Sequence, residues 1–202
     1  MPETQKLIPM IGVDKLHYAK VTADTTETYT AGTPIAIPGL TEAGFNMNGQ
    51  SSTFYADNGV YDTAVGNGEF DIAISCADLS GSLKADLFGF EYDDTTGEMV
   101  AGEIKSPDVA IQYRVQKSNG AYRYVTIYKA KAMPNEENVQ TKGGSINFQT
   151  NGFSMKGAMR LKDGRLMRTL DDDDPNLPEG VTPAIIESKW FTDVDWEIPP
   201  TA

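Results

Sequence analysis

The sequence predicts a mainly β protein of the α+β class: an antiparallel β-sandwich or half-barrel with one flanking helix, a long loop and a C-terminal arm. Apolar residues alternate with polar ones in several short segments, and this period of two is typical of half-buried strands. Only one segment places its apolar residues at the spacing of an amphipathic helix. Clusters of Gly, Asn, Asp and Pro separate these segments and favour turns. One helix among many short strands is typical of the α+β class.

The first third of the chain is predicted to contain short strands and a long loop. The strands are marked by spaced apolar residues: Leu16, Tyr18, Val21, Ile35 and Ile37. Residues 41–68 contain five Gly and four Asn, which predict a loop without regular structure. A loop of that length is uncommon in a compact domain and is usually functional. Its aromatic side chains are therefore expected to be buried by the same subunit or by a partner.

A strand followed by the helix is predicted next. From Glu69 to Cys76 every second residue is Phe, Ile or Cys, and these residues share one face. The helix is predicted from about Ser80 to Phe90, because apolar residues recur at helical spacing at Leu79, Leu83, Leu87 and Phe90. Asp78 or Ser80 is expected to cap the helix, since their side-chain oxygens accept hydrogen bonds from the free N–H groups of the first turn.

A tight hairpin is the clearest feature of the second half of the chain. Residues 108–116 and 121–131 both alternate with period two and are rich in β-branched and aromatic residues. Between them lies Asn119-Gly120, a dipeptide that favours the positive φ angles of a tight turn. The two segments are therefore predicted to pair as neighbouring antiparallel strands.

A second hairpin is predicted closer to the C-terminus. It joins residues 152–161 to residues 165–170 through the Asp-Gly dipeptide at 163–164. Apolar residues on one face of the first segment support its assignment as a strand. A further strand just before this hairpin is indicated by Ile146 and Phe148.

The end of the chain is predicted to form an acidic linker and an arm. Residues 171–183 contain four successive Asp and three Pro, a composition that favours an extended, solvated linker. A last strand is predicted from Ile186 to Trp196. These features divide the chain into a β-sandwich domain at 1–170 and an acidic linker with a C-terminal arm at 171–202.

Composition narrows the range of functions. The chain has 202 residues, 40% of them apolar, and a net charge of −12. Proteins that grip nucleic acid do so mainly through basic groups on phosphates, so this charge argues against tight DNA binding. The single cysteine, Cys76, excludes an internal disulfide and a zinc site built from cysteines, and it is expected to be a small buried residue.

No membrane segment or secretion signal is predicted. No apolar run approaches the ~20 residues that a membrane-spanning helix needs. The first ten residues, Met1 to Met10, have no apolar core of their own, which argues against a signal peptide. The protein is therefore expected to have no membrane anchor and to be made and used in a cytoplasm.

Several segments have the composition of a metal, phosphate or catalytic site but lack the residue order or partners that such a site needs. The run Asp171–Asp174 is expected to be solvated rather than to hold a metal, since successive carboxylates of an extended segment do not converge on one ion. Residues 93–98 lack the register of a calcium loop, and residues 142–145 lack the order of a phosphate loop. Cys76 lacks an evident base, because the only histidine is the distant His17. No catalytic residue, cofactor or metal site is predicted, and the chain is not expected to be an enzyme.

Two patterns leave alternatives open. Tyr122, Tyr124 and Tyr128 share one strand face, which is either core or subunit contact, or a platform that stacks on sugars or bases. Glu69 and Asp71 share the polar face of their strand and are expected to be solvated. Two carboxylates at this spacing are also conceivable glycosidase groups, although no other residue supports that reading.

A family resemblance is carried by segments spread between residues 10 and 165. The segments are Gly12–Ala19, Gly32–Gly39, Thr53–Asp62, Gly68-Glu69, Ala77–Leu79, Lys117–Tyr124, Tyr128-Lys129 and Thr141–Phe148. In the order and spacing of these segments, the chain resembles the major tail (tail tube) proteins of long-tailed siphophages of Gram-positive bacteria. Beyond Asp171 the resemblance ends.

The resemblance implies a structural virion protein that self-assembles and folds as a β-sandwich with one flanking helix. Proteins of this kind assemble as hexameric rings that stack into a hollow tube, and DNA passes through the tube on ejection without specific binding. The implied partners are further copies of the chain, the tape measure protein, and the tail terminator and tip proteins. Assembly is implied in the cytoplasm of the host bacterium.

The resemblance also implies roles for particular residues. Tube lumens of such tails are often acidic, so Glu69 and Asp71 are expected to face the lumen. Contacts between rings or subunits are expected at four residues of the long loop: Phe54, Tyr55, Asn58 and Tyr61. The alternative function is a monomeric β-sandwich carbohydrate-binding module that uses the tyrosine row.

Overall fold

The structure, a computed structural model, describes residues 7–66, 69–144 and 148–198. Within these ranges the chain forms thirteen strands and two helices. The strands are β1 Met10–Asp24, β2 Tyr29–Ala31, β3 Ile35–Ile37, β4 Leu40–Met47, β5 Gln50–Ala56, β6 Gly59–Gly66, β7 Phe70–Cys76, β8 Glu91–Asp93, β9 Glu98–Val100, β10 Asp108–Lys117, β11 Tyr122–Pro134, β12 Asn151–Gly157 and β13 Met167–Asp171. The helices are α1 Gly81–Phe88 and α2 Pro183–Trp190. The predicted mainly β, antiparallel fold is confirmed.

One nine-stranded sheet organises the molecule. Its strands follow the order β2-β1-β10-β11-β12-β7-β4, and β3 pairs with β1 while β13 pairs with β11. The 13-residue strand β11 is central, because β10 occupies one of its edges and two strands share the other. On that second edge β13 pairs with Arg123–Ile127 and β12 pairs with Ala130–Pro134. Two further hairpins, β5–β6 and β8–β9, lie outside this sheet.

The main core lies on one face of the sheet and is covered by α1. The predicted cap is confirmed at Ser80, whose Oγ accepts a hydrogen bond from the N–H of Leu83 over 3.3 Å. Leu87 and Phe88 are both buried against the sheet, although Phe88 interrupts the helical spacing of the apolar residues. The helix ends at Gly89 with φ +75, and a Cβ there would lie 2.3 Å from the carbonyl oxygen of Lys105, so only glycine fits.

The hairpin predicted around Asn119-Gly120 is confirmed by the pairing of β10 with β11. Gly120 has φ +88, the left-handed conformation that the sequence predicts for the turn. Both faces of the hairpin are buried, however: Ile111 and Ile127 on one side, Ala110 and Tyr128 on the other. Alternation alone predicts one solvated face, so a second layer must cover the other side of these strands.

The long loop predicted at 41–68 is wrong, because the described residues of this segment form β4 and the β5–β6 hairpin. The turn of that hairpin is made by Asp57 and Asn58, with φ of 50° and 63°. All side chains of β6 are exposed, and so are those of β5 apart from Ala56. Strands without a buried face have no apolar alternation, which explains why the sequence pattern predicted a loop.

The second predicted hairpin is also wrong. β12 and β13 run in the same direction and both pair with β11 instead of with each other. The segment between them turns tightly, with the N–H of Arg160 donating to the carbonyl of Arg165 and the N–H of Gly164 donating to the carbonyl of Arg160, each over 3.0 Å. Of the strand predicted at Ile146 and Phe148, Ile146 lies outside the described residues and Phe148 is an exposed loop residue.

The last predicted strand is a helix, so the described part of the chain has two helices rather than one. Thr182 caps α2 by accepting from the N–H of Ile185 over 3.4 Å, and Pro183 begins the helix, where its missing N–H costs nothing. Ile186 and Trp190 lie one turn apart and are both buried. Two apolar residues four apart fit a helix face, and this spacing outweighs the β-branched residues that favoured a strand.

The segment predicted as a solvated linker packs against the sheet. Asp171 is the last residue of β13, and the chain continues across the sheet as residues 172–198, which we call the arm. The division of the chain into units at 1–170 and 171–202 stays a prediction. Among the described residues, neither helix has the length and apolar character needed to cross a bilayer.

Gly157 is a position where packing forbids a side chain. An added Cβ would lie 1.8 Å from the ring of Phe70, which is only 2% exposed. We expect Gly157→Ala to destabilise the protein by about 1–3 kcal/mol in urea unfolding, since overpacked cores must shift backbone or rotamers. The matched control is Gly102→Ala, which meets no atom within 4 Å and should change stability by less than about 0.5 kcal/mol. Equal unfolding midpoints for the two variants would contradict the packing described here.

Candidate assembly surfaces

An uncovered sheet face lies opposite the main core, across β4, β7, β12 and the end of β11. Register places its side chains in cross-strand rows: Asn46, Asp71, Lys156 and Lys131; Gly44, Ala73, Ser154 and Met133; Glu42, Ser75 and Gly152. All of these residues are exposed or half-buried. We call this set the open face. Most of its side chains are small or polar, which is unusual for a sheet surface that packs against another layer.

Glu69 and Asp71 do lie together at the open face, with Lys156 between them. Lys156 Nζ is 2.6 Å from Asp71 Oδ1 and 3.8 Å from Glu69 Oε2. Asn48 Nδ2 also donates to Asp71 Oδ2 over 2.7 Å. The hydrogen bonds from Lys156 and then Asn48 lower the pKa of Asp71 below its usual range. The two carboxylates and one ammonium give this cluster a net charge of −1.

Lys156 is a residue that the sequence pattern did not single out. It lies on the polar side of β12, whereas the strand was predicted from the apolar residues of the other side, which include Phe153 and Met155. Its pairing with Asp71 depends on β12 and β7 being neighbours, although 84 residues lie between Asp71 and Lys156 in sequence. Only the alternation of Lys156 with the apolar residues of β12 indicated that it faces away from the core.

The open face ends at an unpaired strand edge. Within the described ranges β4 pairs only with β7, so no other strand is hydrogen-bonded along its outer edge, although part of β1 lies close to β4. Edge strands of monomers are usually shortened, charged or covered, because a free edge invites pairing with another chain. β4 has one charged residue, Glu42, and no proline. This edge is therefore suited to pairing with a further strand.

The β5–β6 hairpin brings the four predicted contact residues to one end. Phe54, Tyr55 and Tyr61 are 63%, 68% and 72% exposed, and Asn58 occupies the turn. The rings of Phe54 and Tyr61 meet edge to face with centroids 6.0 Å apart. An isolated two-stranded hairpin is marginally stable in water, and exposed clusters of large apolar residues mark interaction sites. The hairpin has the properties of an element that is completed by a partner.

The arm covers the face of β10 and β11 that lies opposite the main core. Trp190 packs on Tyr124 with ring centroids 5.6 Å apart, and Val194 belongs to the same small core as Tyr128. Tyr124 and Tyr128 are consequently 1% and 0% exposed. The tyrosine row is core, as one of the two interpretations predicted. A sugar-stacking platform needs accessible ring faces, so the structure contradicts the alternative that used this row.

Two arginines hold the arm against the sheet. The guanidinium of Arg160 lies 3.9 Å from the ring centroid of Tyr128 and 2.6 Å from carboxylate oxygens of both Asp163 and Asp195. The guanidinium of Arg168 lies 4.3 Å from the ring centroid of Trp190 and donates to the carbonyls of Val194 and Trp196. Cations on aromatic faces gain more when they are desolvated, as Arg160 is at 1% exposure. No local sequence pattern predicts these contacts, because they join residues far apart in the chain.

The acidic run at the start of the arm is paired, so its predicted solvation is wrong. Asp171 Oδ1 lies 2.6 Å from Arg123 Nε, and Asp171 and Asp173 both contact the buried ammonium of Lys117. Asp172 accepts a hydrogen bond from the N–H of Tyr122 over 2.8 Å. The carboxylates therefore point at three different partners rather than at one ion. The described residues contain no cluster of three or more potential metal ligands.

The remaining candidates have structural roles in the described chain. Cys76 is buried, and burial raises the pKa of its thiol to about 11, so it is a poor nucleophile. The ring of His17 stacks on Phe191 of the arm with centroids 4.6 Å apart. Residues 93–98 form the turn of the β8–β9 hairpin. Residues 142–144 are exposed loop, and Ser145 lies outside the described residues.

Comparison with known proteins gives a family match. A family model for the "Phage tail tube protein" matches residues 21–176, which include the open face and the β5–β6 hairpin. No curated protein matches the chain in sequence. Among solved structures, the anti-feeding prophage cap (AFP tube terminating cap), determined by cryo-EM, is similar at 9% identity and a TM-score of 0.41, over 84% of this chain and 99% of that chain. That likeness is too low to carry a functional inference.

Attachment of the arm is expected to be sensitive to acid through Asp163. The hydrogen bond from Arg160 lowers the pKa of Asp163 to about 2, against about 3.9 for an unfolded aspartate. A lowered carboxyl pKa contributes stability that is complete above about pH 4 and is lost as pH falls towards 2. Both tryptophans of the chain, Trp190 and Trp196, lie in the arm, so tryptophan emission reports its detachment.

We expect Asp163→Asn to lower stability by about 2 kcal/mol at pH 7 and to flatten the acid dependence between pH 4 and 2. The control is Asp57→Asn in the exposed turn of the β5–β6 hairpin, which should change neither quantity. An Asp163→Asn variant with the acid profile of the parent protein would show that this ion pair does not hold the arm.

Proposed function

This chain belongs to the phage tail tube protein family, and we propose that its copies close head to tail into rings that stack into a hollow tube for DNA. Membership makes it a structural component of the virion that assembles with copies of itself and with other tail components. The observation that carries the proposal is the combination, inside the matched residues, of an open polar sheet face, a free strand edge and an exposed aromatic hairpin.

Ring closure in this proposal uses the edge of β4 at one end of the open sheet. A contact between two different patches of one chain repeats head to tail, and it closes into a ring when its rotation divides the circle. The edge of β4 supplies one such patch, because main-chain hydrogen bonds to a neighbouring copy extend the sheet across the interface. Six copies per ring, the number that the family resemblance implies, would make one continuous barrel. The open face would then line its interior.

The lumen in this proposal is polar, weakly acidic and lined by small side chains. Gly44, Ala73 and Ser154 lie in the central row of the open face, and none of them has a charged group that could bind a DNA phosphate. Lys156, which would otherwise attract phosphate, is held by Asp71. Binding to DNA is driven by release of counterions from phosphates to basic groups, and the net −1 of the Glu69 cluster opposes it. DNA therefore slides through without specific binding.

Stacking of rings is assigned to the β5–β6 hairpin. Its aromatic end cannot be covered by the rest of the same chain, since β5 and β6 are exposed along almost their entire length. Large aromatic residues in a desolvated contact dominate interface energies. Phe54, Tyr55, Asn58 and Tyr61 are thus the proposed contact residues between rings or subunits.

The further partners are the ones that a tail tube requires. We assign the tape measure protein to the lumen during assembly, and the tail terminator and tip proteins to the two ends of the tube. Assembly takes place in the cytoplasm of the host bacterium, and the finished protein belongs to the virion tail. No cofactor or metal is part of this function.

The lumen assignment is tested by charge reversal. Glu42→Lys with Asp71→Lys leaves four lysines at the open face, counting Lys131 and Lys156, and should slow DNA ejection about tenfold while tubes still form, because a basic lumen attracts phosphate. Ejection is measured from phage that carry the variant. The matched control, Glu91→Lys with Asp94→Lys, makes the same charge change on the exposed β8 and its turn. Ejection at the parental rate in the lumen variant would remove these residues from the lumen.

Tube formation is tested by negative-stain electron microscopy of the purified chain over a range of concentrations. We expect rings or hollow tubes for the parent protein, and no tube growth for Phe54→Ala with Tyr61→Ala, because truncation removes about 3–5 kcal/mol per buried aromatic ring. Val139→Ala, an exposed change elsewhere, should leave tubes unaffected. A strict monomer even after addition of tail-tip initiator would contradict the proposed function, and normal tubes from the double variant would contradict the role of the hairpin.

A further inference from the structure

An apolar groove lies at the foot of the β5–β6 hairpin. It has a volume of about 510 Å³, and apolar side chains predominate among its lining residues, including Met47, Val65, Phe70, Met159 and Leu166. Met47 and Met159 at its rim are 59% and 39% exposed. A volume of 300–1,000 Å³ is typical of pockets that accept a small organic group. The groove therefore has room for an apolar group of roughly that size, with Asn48 and Glu69 as polar residues of its lining.

The chain carries such a group at the far end of the same hairpin. The paired rings of Phe54 and Tyr61 form an exposed apolar knob with a defined edge-to-face geometry. Phe54 lies five residues beyond Gly49, which lines the groove, and five residues span about 17 Å at the rise of an extended strand. Because the groove lies at one end of this length and the knob at the other, a chain cannot insert its own knob into its own groove.

We propose that the Phe54–Tyr61 knob of one copy binds in the apolar groove of a second copy. This inference deepens the proposed function and rests on it, since it names the receptor for the exposed hairpin. Apolar exposure on both sides favours the match: Phe54 and Tyr61 of the knob are 63% and 72% exposed, and Met47 and Met159 of the groove are 59% and 39% exposed. Both apolar surfaces would leave water when one copy binds the other.

The geometry of the contact explains growth beyond a dimer. The knob and the groove are different patches, so every copy offers one of each and the contact repeats head to tail. The groove also adjoins the free sheet edge, because Met47 is the last residue of β4 and lines the groove. Insertion of a knob would therefore bring a second copy close to the strand edge that is proposed to close the ring.

Disulfide trapping tests the contact in the full-length chain. Phe54→Cys and Met159→Cys change exposed positions, while the native Cys76 is buried and stays out of the reaction. Mixed single variants should give dimers on mild oxidation, and the double variant should give a ladder of trimers and larger species, whereas each single variant alone should give neither. The matched control replaces Met159→Cys with Ile185→Cys on the exposed side of α2, and no ladder is expected.

A second variant keeps the test independent of disulfide geometry. Met159→Lys places a charge in the groove and should reduce tube yield at least tenfold, while Leu161→Lys, on the same turn and 58% exposed, should leave it unchanged. Tubes without a ladder, or normal yield from Met159→Lys, would overturn the groove while leaving the tube function in place. Absence of tubes from the parent protein under all conditions would overturn the proposed function, and the groove with it.

Discussion

The molecule depends on one strand, β11, being buried on both faces and paired on both edges. Ile127 on one face and Tyr128 on the other are each fully buried, and the two edges are occupied by β10, β12 and β13. A strand in this position needs an apolar layer on each side, because burying only one face would leave large aromatic rings in water. Helix α1 supplies part of the first layer and the arm supplies the second. The arm is therefore part of the folded structure.

Burial of β11 divides the sheet into two halves with different properties. The half around β1, β10 and β11 is covered on both faces and carries most of the ion pairs. The half around β12, β7 and β4 is covered only on the core face, ends in a free edge and leads into the hairpin. A chain that assembles needs both: rigid covered layers position an interface, and uncovered apolar groups and backbone edges supply its binding energy.

Charge distribution follows the same division. The chain carries 17 Lys and Arg against 29 Asp and Glu, and several of its cations are committed inside the covered half. Arg160 is enclosed by two tyrosine rings and two carboxylates, and Lys117 lies between Asp171 and Asp173. Buried cations require partners, since a lone charge in a low-dielectric interior is costly. The acidic run thus neutralises buried cations of the sheet, and the outer surface keeps the acidic excess.

Local pattern in the sequence determined the β-rich class, α1 with its Ser80 cap, strand β7, the β10–β11 hairpin and the burial of Cys76, because each depends on residues close together in the chain. It failed for the exposed β5–β6 hairpin, because strands without a buried face show no apolar alternation. It also failed for α2, whose eight residues fit the period of a strand as well as that of a helix. It gave the candidate residues Glu69 and Phe54 but neither Lys156 nor the groove beside Met159. Those depend on strands that lie far apart in sequence becoming neighbours. Such pairings are decided by burial of the whole sheet, which only the tertiary structure fixes.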